Sequence, residues 1–126
     1  MAEMRVLIVD DEEDMRALMR ATIDVANEGL LVTGEAVDGE EAVAKWRRDR
    51  PEIVVLDQRM PGVTGLEAAG RILAEDPSQA IVLFTAYLDE ALAQAAARLG
   101  VRACLSKEEI RRLPEILWAT EESASG

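Results

Sequence analysis

Two short apolar runs, Val6-Leu7-Ile8-Val9 and Ile53-Val54-Val55-Leu56, constrain the fold class more than any other feature of the chain. Each is continuous rather than alternating, and each is rich in Val and Ile. Strands read this way when both faces are buried, as in a parallel sheet covered by helices on two sides. Each run stops at an acid: Asp10 and Asp11 follow the first, Asp57 the second. Open α/β sheets bind ligands beyond the carboxyl ends of their strands, where strand order reverses. Three carboxylates at that edge repel one another. At ~4 Å and an effective dielectric of about 20, each like-charged pair costs roughly 4 kcal/mol. A bound cation relieves that cost, so the pattern points to a metal-assisted carboxylate site.

The chain has 126 residues and is 49% hydrophobic, enough for one sizeable core but not two. Aromatics are only 3% of it, so the core must be aliphatic and alanine-rich. A net charge of −11 argues against direct nucleic-acid binding. No apolar stretch approaches a membrane span, and the charged N-terminus lacks a signal-peptide core. With one cysteine no internal disulfide forms, and a cytoplasmic location is expected. There is no histidine, so a histidine phosphoryl donor would have to come from another protein.

Apolar runs alternate with helical periodicity along nearly the whole chain. After a strand at 5–10, Met15, Leu18, Met19, Thr22 and Val25 mark one face of a helix ending near Gly29. Residues 31–36 alternate, as in a half-exposed edge strand, with Leu31, Thr33 and Glu35 opposite Val32, Gly34 and Ala36. A helix at 39–48 turns Ala42, Val43 and Trp46 inward, and Pro51 breaks the chain before the strand at 53–57. Residues 57–65 are loop, with Pro61, Gly62 and Gly65 as punctuation. Leu66, Ala69, Gly70 and Leu73 then mark a third helix before Pro77. A strand at 80–84 precedes a fourth helix carrying Leu88, Leu92, Ala95 and Leu99, ended by Gly100. After a short strand at 103–105, residues 108–112 read as a separate turn. Pro114 suits the first turn of a last helix starting near Leu113. Residues 121–126 read as frayed or linker-like. Five βα units with right-handed crossovers give a doubly wound α/β sandwich.

Two more groups fall at the same edge: Thr85 ends the fourth strand and Lys107 lies just past the fifth. Singly, each of these residues has an ordinary reading. Asp10 caps a helix, Asp11 favours its dipole, Thr85 ends a strand and Lys107 is a solvated charge. Together they supply three carboxylates, a hydroxyl and an ammonium around space for a hard cation, a set suited to phosphoryl transfer. Mg²⁺ takes octahedral oxygen ligation and keeps several waters, so two carboxylates and one backbone carbonyl suffice.

The set Val9-Asp10-Asp11, Asp57-x-x-Met60-Pro61-x-x-x-Gly65, Thr85-Ala86 and Lys107 resembles the response-regulator receiver domain of two-component signalling. The resemblance covers residues 4–122, leaving 123–126 as tail or the start of a linker. It implies a (βα)5 sandwich with a five-stranded parallel sheet in the flavodoxin-like order 2-1-3-4-5. It implies that Asp57 is the phospho-acceptor and that Asp11, Asp57, the backbone carbonyl of Arg59 and, mainly through water, Asp10 hold Mg²⁺. Thr85 and Lys107 would bind the phosphoryl oxygens and relay the change. The implied donor is a histidine kinase or histidine phosphotransfer protein, docking on the first helix near Asp14, Leu18 and Thr22. The implied output, to an effector or a second copy, uses the fourth helix, fifth strand and fifth helix, with Trp118 as an anchor. Catalysis is limited to the chain's own phosphorylation and dephosphorylation.

Some positions depart from that pattern. Cys104 stands where the family commonly has an aromatic switch residue, so loop and backbone shifts are expected in place of a ring flip. Glu108 follows Lys107 where proline is common, which favours a trans bond. Gln58 and Arg59 crowd the acceptor with polar groups, and Tyr87 lies two residues past Thr85. Two other functions fit parts of the pattern. A small-molecule aspartyl phosphatase commonly resembles Asp-x-Asp, but Arg59 holds the second position. A phosphorylation-independent receiver-like binding module is favoured only by Cys104.

Overall fold

The structure, a computed structural model, describes residues 3–26 and 29–125. Five parallel strands, β1 (Met4–Val9), β2 (Leu30–Ala36), β3 (Ile53–Leu56), β4 (Ala80–Thr85) and β5 (Ala103–Ser106), form one sheet in the order β2-β1-β3-β4-β5. Helices α1 (Glu13–Ala26), α2 (Gly39–Asp49), α3 (Gly65–Glu75), α4 (Glu90–Leu99) and α5 (Leu113–Ser125) connect and cover it. A 3₁₀ segment over Lys107–Arg112 leads into α5, and Pro114 occupies that helix's first turn. Helix α5 continues to Ser125, into the stretch that reads as a tail from sequence. The expected end of the first helix near Gly29 adjoins residues 27 and 28, which lie outside the described residues.

The continuous apolar runs are explained by two cores. Leu7, Val9, Val54, Leu56, Ile81 and Leu83 face α2, α3 and α4. Their neighbours Val6, Ile8, Ile53, Val55, Val82 and Phe84 face α1 and α5. Each fully buried aliphatic contributes about 1.5–3 kcal/mol of hydrophobic stabilisation. Three helices share the first face, and small buried residues (Ala42, Ala68, Ala69, Ala96) let them approach. Trp46 is fully buried there, its indole N–H donating to Gln79 Oε1 at 2.9 Å. The Gln79 amide donates onward to the Glu52 and Ala80 carbonyls, so the polar end of this link is paired.

Several expected helix faces shift. In α1 the buried residues are Met19 and Ile23, whereas Leu18 and Val25 are 47% and 84% exposed. In α3 they include Ala68 and Ile72 as well as Ala69 and Leu73. In α4 only Ala96 is fully buried, and Leu88 precedes the helix. Gly100 does terminate α4, at φ 110°, a conformation that favours glycine. The alternation of the edge strand β2 is interrupted: Val6 pairs with Val32 but Leu7 pairs with Gly34, so Thr33 is bulged out. The even spacing from Val32 to Ala36 would by itself put both on one face, yet Val32 joins one core and Ala36 the other. Trp118 is half-buried against the α1-side core, near enough that a Cβ on Gly29 would meet its ring at 3.3 Å. Of the two readings that its position off the Ile110–Leu113–Leu117 stripe allows, partial burial and an interaction role, the packing is that of partial burial.

Candidate functional site at the carboxyl edge of the sheet

Strand order brings β1 and β3 side by side, and their terminal acids with them. Asp57 N–H donates to Val9 O at 3.1 Å, and Asp10 N–H donates to Ala36 O at 3.1 Å, extending both ladders to the acids. Ligand oxygens of Asp10, Asp11 and Asp57 all lie within 4.8 Å of one another. Asp10 and Asp57 are buried and Asp11 is exposed. Lys107, arriving from the end of β5, bridges the two buried acids: its Nζ is 2.6 Å from Asp10 Oδ2 and 3.0 Å from Asp57 Oδ2. The Asp10 contact is an ion pair without hydrogen-bond alignment, and Oδ2 has no other partner. Asp10 Oδ1 accepts from Glu12 N–H at 2.9 Å.

Burial pushes the Asp57 carboxyl above its ordinary value. The Lys107 ammonium and the Thr85 hydroxyl oppose that rise, while the Asp10 charge adds to it. For Lys107, burial works toward a lower value, but its close contacts with the Asp10 and Asp57 carboxylates outweigh it, and the ammonium is held above the usual lysine range. A hard-oxygen donor set with net negative charge and a buried acceptor atom short of a hydrogen bond fits Mg²⁺.

The β3–α3 loop holds Asp57 from the other side. Gln58 N–H donates to Asp57 Oδ1 at 2.8 Å, and the Gln58 side chain accepts from Leu66 N–H at 2.8 Å. Gln58 thus ties Asp57 to the start of α3, a role its polarity hints at but its spacing does not disclose. Gly65 must be glycine here, because a Cβ would collide with the Asp57 carbonyl oxygen. Thr85, 1% exposed, ends β4 next to a cavity of about 540 Å³ walled also by Gln58, Met60 and Tyr87. The Arg59 guanidinium lies 4.4 Å from the centre of the exposed Tyr87 ring, joining the loops after β3 and β4. Cys104 is half-buried against the α2–α4 core, and burial pushes its thiol up. The Lys107–Glu108 bond is trans, like every peptide bond among the described residues.

One residue beside the site carries no sequence signature. Arg16 Nη1 donates to the Asp10 carbonyl at 2.8 Å while its Nε donates to Glu35 Oε1 at 3.0 Å. No local pattern singles out this arginine, since its partners lie on two different strands' ends.

Comparison with known proteins agrees with this geometry. The response regulator receiver domain family matches residues 6–117. The chain is 37% identical over 103 residues to the chemotaxis protein CheY of Thermotoga maritima, covering 82% of this chain and 84% of that one. It is 35% identical over 103 residues to the protein CcdB of Bacillus subtilis, with the same shares covered. A two-component response regulator of the LuxR family from Aurantimonas sp. SI85-9A1 superposes with a TM-score of 0.92 at 30% identity, over 97% of this chain and 87% of that one. Sheet order, acid cluster and these likenesses converge: the chain belongs to the response regulator receiver domain family of two-component systems.

Proposed function

We propose that this chain is a phospho-acceptor signalling module, residues 4–122 forming the receiver domain, which takes a phosphoryl group onto Asp57 and switches a distant surface. The observation that carries the reading is Lys107 bridging Asp10 and Asp57 inside a three-acid cluster. Asp57 attacks phosphorus of a phosphohistidine on a histidine kinase or phosphotransfer protein. The P–N bond breaks, its electron pair stays on the imidazole, and an acyl phosphate forms on Asp57. Asp11, Asp57, the Arg59 backbone carbonyl and, mainly through water, Asp10 would hold Mg²⁺, which would supply charge neutralisation at the phosphoryl group. Lys107 supplies a second cation to the phosphoryl oxygens, and Thr85 a hydroxyl donor. Hydrolysis reverses the modification: water attacks phosphorus and Asp57 leaves as the carboxylate. Catalysis ends there. The alternative of a small-molecule aspartyl phosphatase lacks its second acid, since that position is Arg59, stacked on Tyr87.

The donor docks on α1 near the acids, along Asp14, Leu18 and Thr22, where Asp14 and Leu18 are exposed. Output to an effector or a second copy leaves through the α4-β5-α5 surface. With Cys104 beneath that surface, the switch runs through the loops at Thr85–Tyr87 and Lys107–Glu108 rather than through a ring flip. The single free cysteine supports a cytoplasmic setting. Incubation with acetyl phosphate and Mg²⁺ tests the reading. Intact-mass measurement should show one added phosphoryl group, lost on mild alkali and absent in Asp57→Asn. Uptake by Asp57→Asn would overturn the assignment.

A further inference from the structure

We propose that Arg16, braced by Glu35, is a positioning residue that sets the direction of the Asp10–Asp11 peptide and so places the Asp11 carboxylate for the cation. The inference rests on the metal-assisted reading above. Asp11 is exposed, and among the described residues its side chain makes no hydrogen bond or ion pair. Its carboxylate nevertheless lies with those of Asp10 and Asp57 within 4.8 Å. Its location is therefore inherited from the backbone that carries it.

That backbone is held at two points. Asp10 N–H donates to the Ala36 carbonyl at the end of β2. Asp10 C=O, the oxygen of the peptide leading into Asp11, accepts from Arg16 Nη1 at 2.8 Å. The guanidinium is itself fixed, only 14% exposed, with Nε on Glu35 Oε1 at 3.0 Å. Glu35 sits on β2 opposite Ile8, and its second oxygen accepts from Arg20 Nε and Nη2 at 3.0 and 2.7 Å. A planar fork suits this task because one group reaches a carbonyl and a carboxylate in a fixed relation; an ammonium has no such geometry. Mg²⁺ demands near-ideal octahedral placement of its ligands, so a small tilt of this peptide is felt at the cation.

The sign of the effect separates positioning from charge. Arg16 is a cation bonded to the backbone of one of the three acids. If charge were its whole role, removing it would strengthen Mg²⁺ binding. Positioning requires the opposite. Mg²⁺ titrations of the whole chain, followed by amide NMR shifts of residues 10–12 and 57–59, should show binding weakened about 10-fold in Arg16→Gln, the scale of losing an outer-shell partner. Arg16→Lys, which keeps the charge without the fork, should also weaken it. Equal or tighter binding by Arg16→Gln, or wild-type affinity in Arg16→Lys, overturns the proposal. Should Arg16→Gln lose its fold, Arg16→Lys decides alone. A wild-type chain with no saturable Mg²⁺ response would instead remove the metal-assisted reading itself, and the positioning role with it.

Discussion

Lys107 Nζ stands 2.6 Å from Asp10 Oδ2, across the sheet edge from β5 to β1, and the carboxylate it meets is 1% exposed. The same ammonium reaches Asp57 at 3.0 Å. Without it, two buried carboxylates face each other with no ammonium between them.

Lys107→Met should therefore destabilise the metal-free protein by about 3 kcal/mol, the scale of removing one member of a buried ion pair. Urea unfolding in EDTA measures this. Added Mg²⁺ should restore part of the loss, because a bound cation stabilises only the folded state. A variant as stable as wild type in EDTA would show that the carboxylates do not need this partner.

Asp57 gives stability a pH dependence. Burial holds its carboxyl above the ordinary 3.8, so the folded protein binds this proton more tightly than the unfolded chain. The contribution is fully present below pH 3.8 and is lost as pH rises through the raised value. Asp57→Asn removes that dependence and should be more stable than wild type in EDTA at neutral pH. Unfolding midpoints of the two proteins across the acidic range, without metal, test this. Parallel curves would show that the Asp57 carboxyl does not titrate differently on folding.

Mg²⁺ should raise the melting temperature of the wild type and leave Asp11→Asn nearly unmoved. Asp11 is the one acid of the cluster that Lys107 does not already engage, so its charge is the most available to a cation. Asp11→Asn should also stop Mg²⁺-dependent labelling by acetyl phosphate. An undiminished thermal shift in this variant would put the cation elsewhere.

Leu18→Glu should slow phosphoryl transfer from a kinase while sparing labelling by acetyl phosphate. Leu18 is 47% exposed on α1, so the change should cost no more than about 0.5 kcal/mol of stability. Equal loss with both donors would mean damage to the site rather than to a docking face.

Much of the architecture was legible because each strand reports its own environment. Val6–Val9 and Ile53–Leu56 are apolar on both faces, and that is sufficient for a covered parallel sheet. The motif residues were legible because parallel strands all point their carboxyl ends to one edge. Helix faces were less so: in α1, Leu18 and Val25 fit the helical period yet lie exposed, because period alone does not tell a core stripe from an apolar outer surface.

What the sequence determined by itself is local: which segments are strands, which acids end them, and where Gly65 and Gly100 turn the chain. What only the tertiary structure decided is how distant side chains meet. The bulge at Thr33 sends Ala36 to the opposite face from Val32. Trp118 packs toward Gly29 and α1, and Gln58 ties Asp57 to α3. Lys107 spans 50 residues of sequence to reach Asp57. Arg16 joins α1, β2 and the end of β1 through one guanidinium. The physical reason is that periodicity records whether a residue faces apolar matter or water. Hydrogen-bond and ion-pair partners depend instead on strand order and helix placement, which bring together groups that the chain itself keeps apart.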